Sequence, residues 1–237
     1  MKHIVSFSGG KDSTAMLLKM LEDNWKIDEI IFCDTGKEFP DMYEHIRQVQ
    51  NYIVRNYGKE IVTIQSRKSF DYYMFDHIKT RGKNKGKKGY GWAIKFGKKG
   101  IRWCTSYLKE SLMDRYLKQK YGKGNYTEYI GIAYDEPGRV KDKRYPLIEY
   151  EMTEAECLQF CYDRGFTWNG LYEKFDRVSC WCCPFKRLKE LKVLYLEFPE
   201  LWQKLKEMDK KAYNQFRVDY SVEQLEEKLK KEGDYNE

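Results

Sequence analysis

The stretch Ser8-Gly9-Gly10-Lys11-Asp12-Ser13 brings two hydroxyls, two glycines, an ammonium and a carboxylate into six consecutive positions. Glycines let a backbone turn tightly and approach a ligand closely. Ser8, Ser13 and Lys11 donate hydrogen bonds, and Asp12 can orient a cation. These are the parts that hold a phosphate or sulfate group. Each hydrogen bond to a charged oxygen contributes about 1.5–3 kcal/mol, so three or four suffice for a site. A strand–turn–helix junction with a surface lysine is the plainer reading of the same residues; all six together favour the anion.

A second cluster is sulfur. Cys180-Trp181-Cys182-Cys183 places three thiols in four residues, and Cys104 offers a fourth. Four thiolates suit an iron–sulfur cluster or a structural zinc ion. Adjacent cysteines strain around one small ion and span a cluster more readily, while free or redox-active thiols are a third reading. Cys104 stands near a predicted helix start beside Arg102, a setting that lowers a thiol pKa and suits a metal ligand or a nucleophile.

The elements that must position these groups follow from apolar patterning. Residues 3–7 read as a buried strand and residues 14–20 as a helix. The loop therefore sits where the first helical N–H groups lack partners. Residues 27–32 read as a second strand running into Cys33-Asp34-Thr35-Gly36. In an open parallel sheet, ligands bind at the carboxyl edge. Asp34 and Thr35 can accept there from amino or hydroxyl groups of a ligand, although Asp-Thr-Gly is also ordinary turn chemistry. A helix to about residue 56, a strand over 61–64, a helix over 69–78, another to about 121 and a strand over 127–132 follow. Thr153 and Glu156 form a capping box that opens a helix. Cys157 and Cys161 share one face of it and read as core, as does Cys33, while His45 reads as a helix-face residue. Helices are predicted over 186–198, 200–216 and 222–231.

The chain has 237 residues and a net charge of +7, and 16% of its residues are aromatic. That is room for one sizeable α/β domain and an appendage, divided at 1–150 and 151–237. Ten basic residues and no acid lie between Lys79 and Arg102, so the rest of the chain is net −3. This Gly/Lys-rich stretch reads as a mobile solvated loop, or as a contact for nucleic acid or another polyanion, with Tyr90, Trp92 and Phe96 placed to stack on bases or to pin the loop. No run of about 18 apolar residues offers a membrane span. The odd cysteine count and the absence of a secretory signal point to the cytoplasm.

The Ser-Gly-Gly-Lys-Asp-Ser loop resembles the PP-loop of the adenine-nucleotide alpha-hydrolase superfamily, which holds ATP pyrophosphatases, thiouridine synthetases and phosphoadenosine-phosphosulfate (PAPS) reductases. Asp34-Thr35-Gly36-x-x-Phe39-Pro40-Asp41 resembles the second motif of the PAPS reductases in particular. The resemblance covers about residues 1–184. It implies a doubly wound parallel sheet with the PP-loop at the end of the first strand and a C-terminal helical, cysteine-bearing extension. It further implies nucleotide roles for Ser8 to Ser13, for Asp34 to Gly36, for Arg102 and Lys109, and for Gly131, Glu136 and Arg139. Ala133 stands where reductases often place an arginine.

The cysteine pattern is similar to that of adenylyl-sulfate reductases, which hold a four-iron–four-sulfur cluster. Here Cys104, Cys180, Cys182 and Cys183 keep the count with the tandem pair displaced. The C-terminal Glu-Cys-Gly-x-His motif of the reductases does not occur in the sequence.

Two mechanisms compete under this resemblance. In one, ATP with Mg²⁺ binds the loop, Lys11 and Asp12 assist pyrophosphate departure, and an adenylated acceptor, nucleic acid among the candidates, receives sulfur from a donor protein. In the other, PAPS or adenylyl sulfate is reduced to sulfite, with Cys104 or the Cys180 group as nucleophile and a reductant as partner. A nucleotide- or nucleic-acid-binding module without catalysis is the third reading.

Overall fold

The computed structural model describes residues 1–96 and 99–234. Gly97 and Lys98 of the basic stretch, and residues 235–237 of the tail, lie outside the described residues. The chain divides into two compact units, and the division does not fall at 150/151. One unit comprises residues 1–34, 38–65 and 109–178, and the other residues 35–37, 66–108 and 179–237. The basic stretch thus belongs with the C-terminal helices, while the segment 151–178 belongs with the sheet.

The first unit is built on β1 (Lys2–Phe7), β2 (Glu29–Asp34), β3 (Ile61–Gln65) and β6 (Tyr126–Ile130). They form one parallel sheet of order β3-β2-β1-β6. Ile30, Ile31 and Phe32 in β2 are all buried, as expected of a parallel strand covered on both faces. The helices α1 (Lys11–Glu22) and α2 (Pro40–Tyr57) connect the first three strands. On one face Ile4, Ile31 and Cys33 pack against Met113 and Leu117 of α4 (Ser111–Tyr121). Cys33 is core, as its position at the strand end predicts, and burial pushes its thiol up to about 11.

Register decides what meets at the sheet edge. Phe7 lies opposite Phe32, and Ser6 opposite Ile130. The residues that follow, Ser8 after β1 and Gly131 after β6, therefore emerge side by side. Because β2 and β6 flank β1, the chain reverses its winding there, and such a switch point leaves a crevice outside the strand ends. The loop 8–13 occupies it.

Between the single turns α5 (Pro146–Glu149) and α7 (Leu171–Lys174) lies the helix expected after Thr153, α6 (Glu154–Tyr162), with the capping box formed by the Thr153 and Glu156 side chains. Cys157 and Cys161 are fully buried, and burial raises both thiols, Cys157 to about 12. His45 is not on an open helix face. It is 1% exposed, lies 4.2 Å from the Trp168 ring and meets Thr14 Oγ1 at 3.1 Å through Nε2.

The second unit differs most from the sequence reading. The stretch 79–102 is not a featureless loop. Backbone bonds close it between Lys79 and Lys87, and Tyr90 and Gly91 donate to the carbonyls of Tyr73 and Met74 in a π-helical turn over Tyr72–Asp76. Two short antiparallel strands follow, β4 (Ile94–Phe96) and β5 (Lys99–Ile101), and then the single turn α3 (Trp103–Thr105). The tail forms α8 (Leu188–Glu197), α9 (Pro199–Lys211) and α10 (Val222–Asp234). The middle helix ends five residues before the predicted limit because Asn214 turns back to bond the main chain of Trp92 at 2.9 and 3.2 Å. Among the described residues no helix is long and apolar enough to cross a membrane.

Candidate functional site

Gly9 takes a positive φ of 78°, and a Cβ there would stand 2.7 Å from Met42 Sδ, so both conformation and space require glycine. Gly10 caps α1 without a side-chain bond, which leaves the helix N-terminus directed at the crevice. Ser13 Oγ accepts from the Ser8 N–H at 3.1 Å, meets Ser8 Oγ at 2.9 Å and donates to the Gly10 carbonyl at 3.0 Å. The two serines thereby close the loop into a ring. Gly131 presses on it from β6: a Cβ there would stand 2.8 Å from the Ser13 amide nitrogen.

Lys11 is 7% exposed. Its ammonium lies 2.8 Å from Asp12 Oδ1 and 2.6 Å from Glu154 Oε1. Burial works against the Lys11 charge, but Asp12 and Glu154 together outweigh it and raise its pKa. Burial also pushes the Asp12 carboxyl up, with Glu154 and Glu136 adding to the effect against the pull of Lys11. The carboxylate oxygens of Asp12, Glu136 and Glu154 lie within 4.8 Å of one another. Arg139 pairs with Glu136, and Arg177 approaches the same carboxylate at 3.9 Å.

A cavity of 130 Å³ is bounded by the loop, Gly131, Arg139, Glu154, Tyr172 and Arg177. It has room for a phosphoryl group and not for a whole nucleotide, since sites for drug-sized ligands run to about 300 Å³ and more. The structure therefore gathers Ser8, Gly10, Lys11, Asp12, Ser13, Gly131, Glu136 and Arg139, as the resemblance implies, and adds Glu154, Tyr172 and Arg177. The Tyr172 hydroxyl accepts from the Lys11 N–H at 2.8 Å, and the Trp168 indole donates to the Gly9 carbonyl at 2.7 Å. Glu154 opens α6, where an acidic residue is ordinary helix chemistry, and Tyr172 carries no local signal. Neither stands out in the sequence.

Other expected residues lie elsewhere. Asp34 ends β2 and accepts from Tyr43 and Gln65, each at 2.7 Å. Lys109 reaches Glu38 at 3.2 Å. Thr35, Gly36, Arg102 and Cys104 belong to the second unit. Arg102 lies over the Phe185 ring at 4.7 Å. Cys180, Cys182 and Cys183 share that unit. The Cys183 amide bonds the Cys180 carbonyl at 3.1 Å. The hydrogen bond that the Cys183 thiol donates to the Cys180 sulfur, then burial, holds Cys183 well above the ordinary thiol range.

A zinc ion at about 2.3 Å from each sulfur would set its thiolates about 3.8 Å apart. Among the described residues no three cysteine sulfurs lie within 4.8 Å of one another. A cluster sets its ligands wider apart.

Residues 2–119 match the family model of the phosphoadenosine phosphosulfate reductase domain. Two uncharacterized proteins of Methanocaldococcus jannaschii, MJ0066 and MJ0973, are 28% and 27% identical over 85% and 84% of this chain. An uncharacterized nin region protein of Escherichia phage lambda, ORF290, is 31% identical over 66% of it. The chain spans 40%, 45% and 56% of those three proteins, about half their length. A crystal structure of a PAPS reductase from Candida auris, in a phosphate complex, superimposes over 76% of this chain and 82% of that one, with a TM-score of 0.48 at 16% identity. The family match, with the loop at the switch point inside it, makes residues 2–119 of this chain a phosphoadenosine phosphosulfate reductase-like domain.

Proposed function

We propose that the chain is an enzyme that binds ATP with Mg²⁺ at the loop Ser8–Ser13 and transfers adenylate to an acceptor, as a step of sulfur transfer. The observation that carries this reading is the charge balance of the crevice. Lys11, Arg139 and Arg177 face Asp12, Glu136 and Glu154, three against three. A bare phosphosulfate would meet carboxylates that its own charge opposes. A nucleotide arriving with a divalent cation brings the missing positive charge, and carboxylate oxygens are what Mg²⁺ takes.

Chemically, an acceptor oxygen attacks the α-phosphorus, the bond to the bridging oxygen breaks, and pyrophosphate leaves. Lys11 moves from Glu154 to the departing oxygens, while the loop amides and the Ser8 and Ser13 hydroxyls hold them. The basic stretch from Lys79 to Arg102 supports a polyanionic acceptor. A thermal-shift panel with ATP and Mg²⁺, adenylyl sulfate and PAPS tests the reading, followed by assay of released pyrophosphate. Stabilisation by ATP with Mg²⁺ is expected; a shift with PAPS or adenylyl sulfate alone restores sulfate reduction, the reading that the family match favours.

The cysteines support a second element. Cys104, Cys180, Cys182 and Cys183 are four soft donors in one compact unit, a donor set that suits an iron–sulfur cluster. When bound, a cluster would supply electrons or carry sulfur; the thiols themselves would hold it.

A further inference from the structure

The second unit carries a pile of aromatic rings that the nucleotide reading does not use. The Tyr73 and Tyr107 rings stack at 5.5 Å and 16°, Tyr90 and Tyr107 at 5.3 Å and 23°, and His77 and Tyr90 at 5.0 Å and 21°. The backbone makes this alignment. Gly89 donates to the His77 carbonyl and Tyr90 to the Tyr73 carbonyl, at 2.8 and 2.9 Å, which draws the returning chain against the π-helical turn. Gly89 is obligatory there, because a Cβ would stand 2.3 Å from the Met74 carbonyl oxygen. The pile is not sealed: Tyr107 is 40% exposed, and Tyr73, His77 and Tyr90 are half-buried.

Residues 81–88 leave and rejoin this pile and are exposed throughout, with Arg81, Lys83, Lys85, Lys87 and Lys88 among them and no acid. Lys79 sets its ammonium 5.7 Å above the Tyr90 ring and 4.6 Å above that of Tyr213. Trp92, by contrast, is 2% exposed and donates its indole N–H to Asp209 at 2.9 Å, so it pins the stretch and takes no ligand.

We propose that the rings of Tyr73, His77, Tyr90 and Tyr107, with the lysine-rich turn 79–88, bind single-stranded nucleic acid, the bases stacking on the rings and the phosphates lying along the lysines. The inference rests on the acceptor part of the reading above and names its class. Parallel rings reached from solvent at Tyr107 call for flat, unpaired faces, which a strand offers and a duplex covers. The unbroken positive charge matches a phosphate backbone. An acidic peptide would satisfy the charge and leave the rings without partners.

The test is fluorescence anisotropy of the full chain, without nucleotide, on a labelled oligothymidine strand, a duplex of equal length and inorganic polyphosphate. The strand is expected to bind tightest. Tyr107→Ala should weaken it by roughly tenfold or more, and Tyr107→Phe, which keeps the ring, should restore it. Reversing Lys83 and Lys85 to Glu should flatten the salt dependence. The proposal is overturned if polyphosphate or duplex binds as tightly as the strand, or if a folded Tyr107→Ala protein binds unchanged. ATP with Mg²⁺ is titrated separately: a chain that binds nucleotide but no strand loses this inference alone, and one that binds the strand but no nucleotide loses the adenylation reading alone.

Discussion

The Lys11 ammonium sits 2.6 Å from Glu154 Oε1, a carboxylate 143 residues further along the chain. The lysine of the loop is thus held by the protein's own acid, and on the reading proposed above a nucleotide exchanges that partner. Lys11→Met should weaken ATP with Mg²⁺ by about 1.5–3 kcal/mol, the contribution of a hydrogen bond to a charged group. On the reading proposed above, Glu154→Gln releases Lys11 but removes one of the carboxylates offered to the cation, so it should weaken ATP with Mg²⁺ and leave metal-free ATP less affected. Titration calorimetry with and without Mg²⁺ separates the two; equal losses in both conditions would remove Glu154 from the cation's shell.

Tyr172 makes a related exchange visible. Its hydroxyl accepts from the Lys11 amide, the position that a phosphate oxygen of the proposed nucleotide would take. Tyr172→Phe should cost about 1 kcal/mol of stability without ligand, measured by urea unfolding. Saturating nucleotide should shrink the difference, since the ligand then supplies the acceptor. A difference that persists undiminished would mean the amide does not face the ligand.

Gly131 tests the closeness of the two edge loops. Alanine there must displace the backbone at Ser13, and overpacking of this kind costs about 1–3 kcal/mol. Thermal unfolding of Gly131→Ala should show that loss, together with weakened nucleotide binding. A wild-type melting temperature would contradict the 2.8 Å approach.

His45 predicts a pH dependence. Burial lowers its pKa to about 3, so the folded chain holds the ring neutral while the unfolded chain protonates it near pH 6.5. Below about pH 6.5 the unfolded state binds the extra proton, and stability falls as pH falls toward 3. One proton corresponds to about 1.4 kcal/mol per pH unit. Denaturant midpoints of wild type and His45→Phe between pH 7 and 4.5 should diverge in slope; parallel curves would show that the ring is accessible to protons when folded.

For the thiols, Cys180→Ala in anaerobically purified protein should remove bound iron and the visible charge-transfer absorbance together. Full iron occupancy in that variant would exclude Cys180 from any ligand set.

What the sequence made legible is what is local. The loop 8–13 is contiguous and stands between a strand and a helix whose periodicities are plain, and the Thr153–Glu156 box lies within one turn. The contacts that finish the site join Lys11 to Glu154 and Tyr172 and Gly9 to Trp168, residues whose types are unremarkable where they stand. The same holds in the second unit. Glycine and lysine content suggested an open loop, while the bonds that close residues 79–91 run to backbone carbonyls of the turn at 72–76, and no side-chain pattern announces them.

The buttressing of Gly9 by Trp168 and of Lys11 by Tyr172 also imposes an order on events during synthesis. These partners are made about 160 residues after the loop they hold, and β1 waits for β6 to cover its second edge. At about 5–20 residues per second, the loop and its strand stand half-supported for roughly 8–30 s. A ligand meeting the nascent chain before Tyr172 is made would find an unfinished loop, so loading of the proposed nucleotide follows the synthesis of the 168–172 segment.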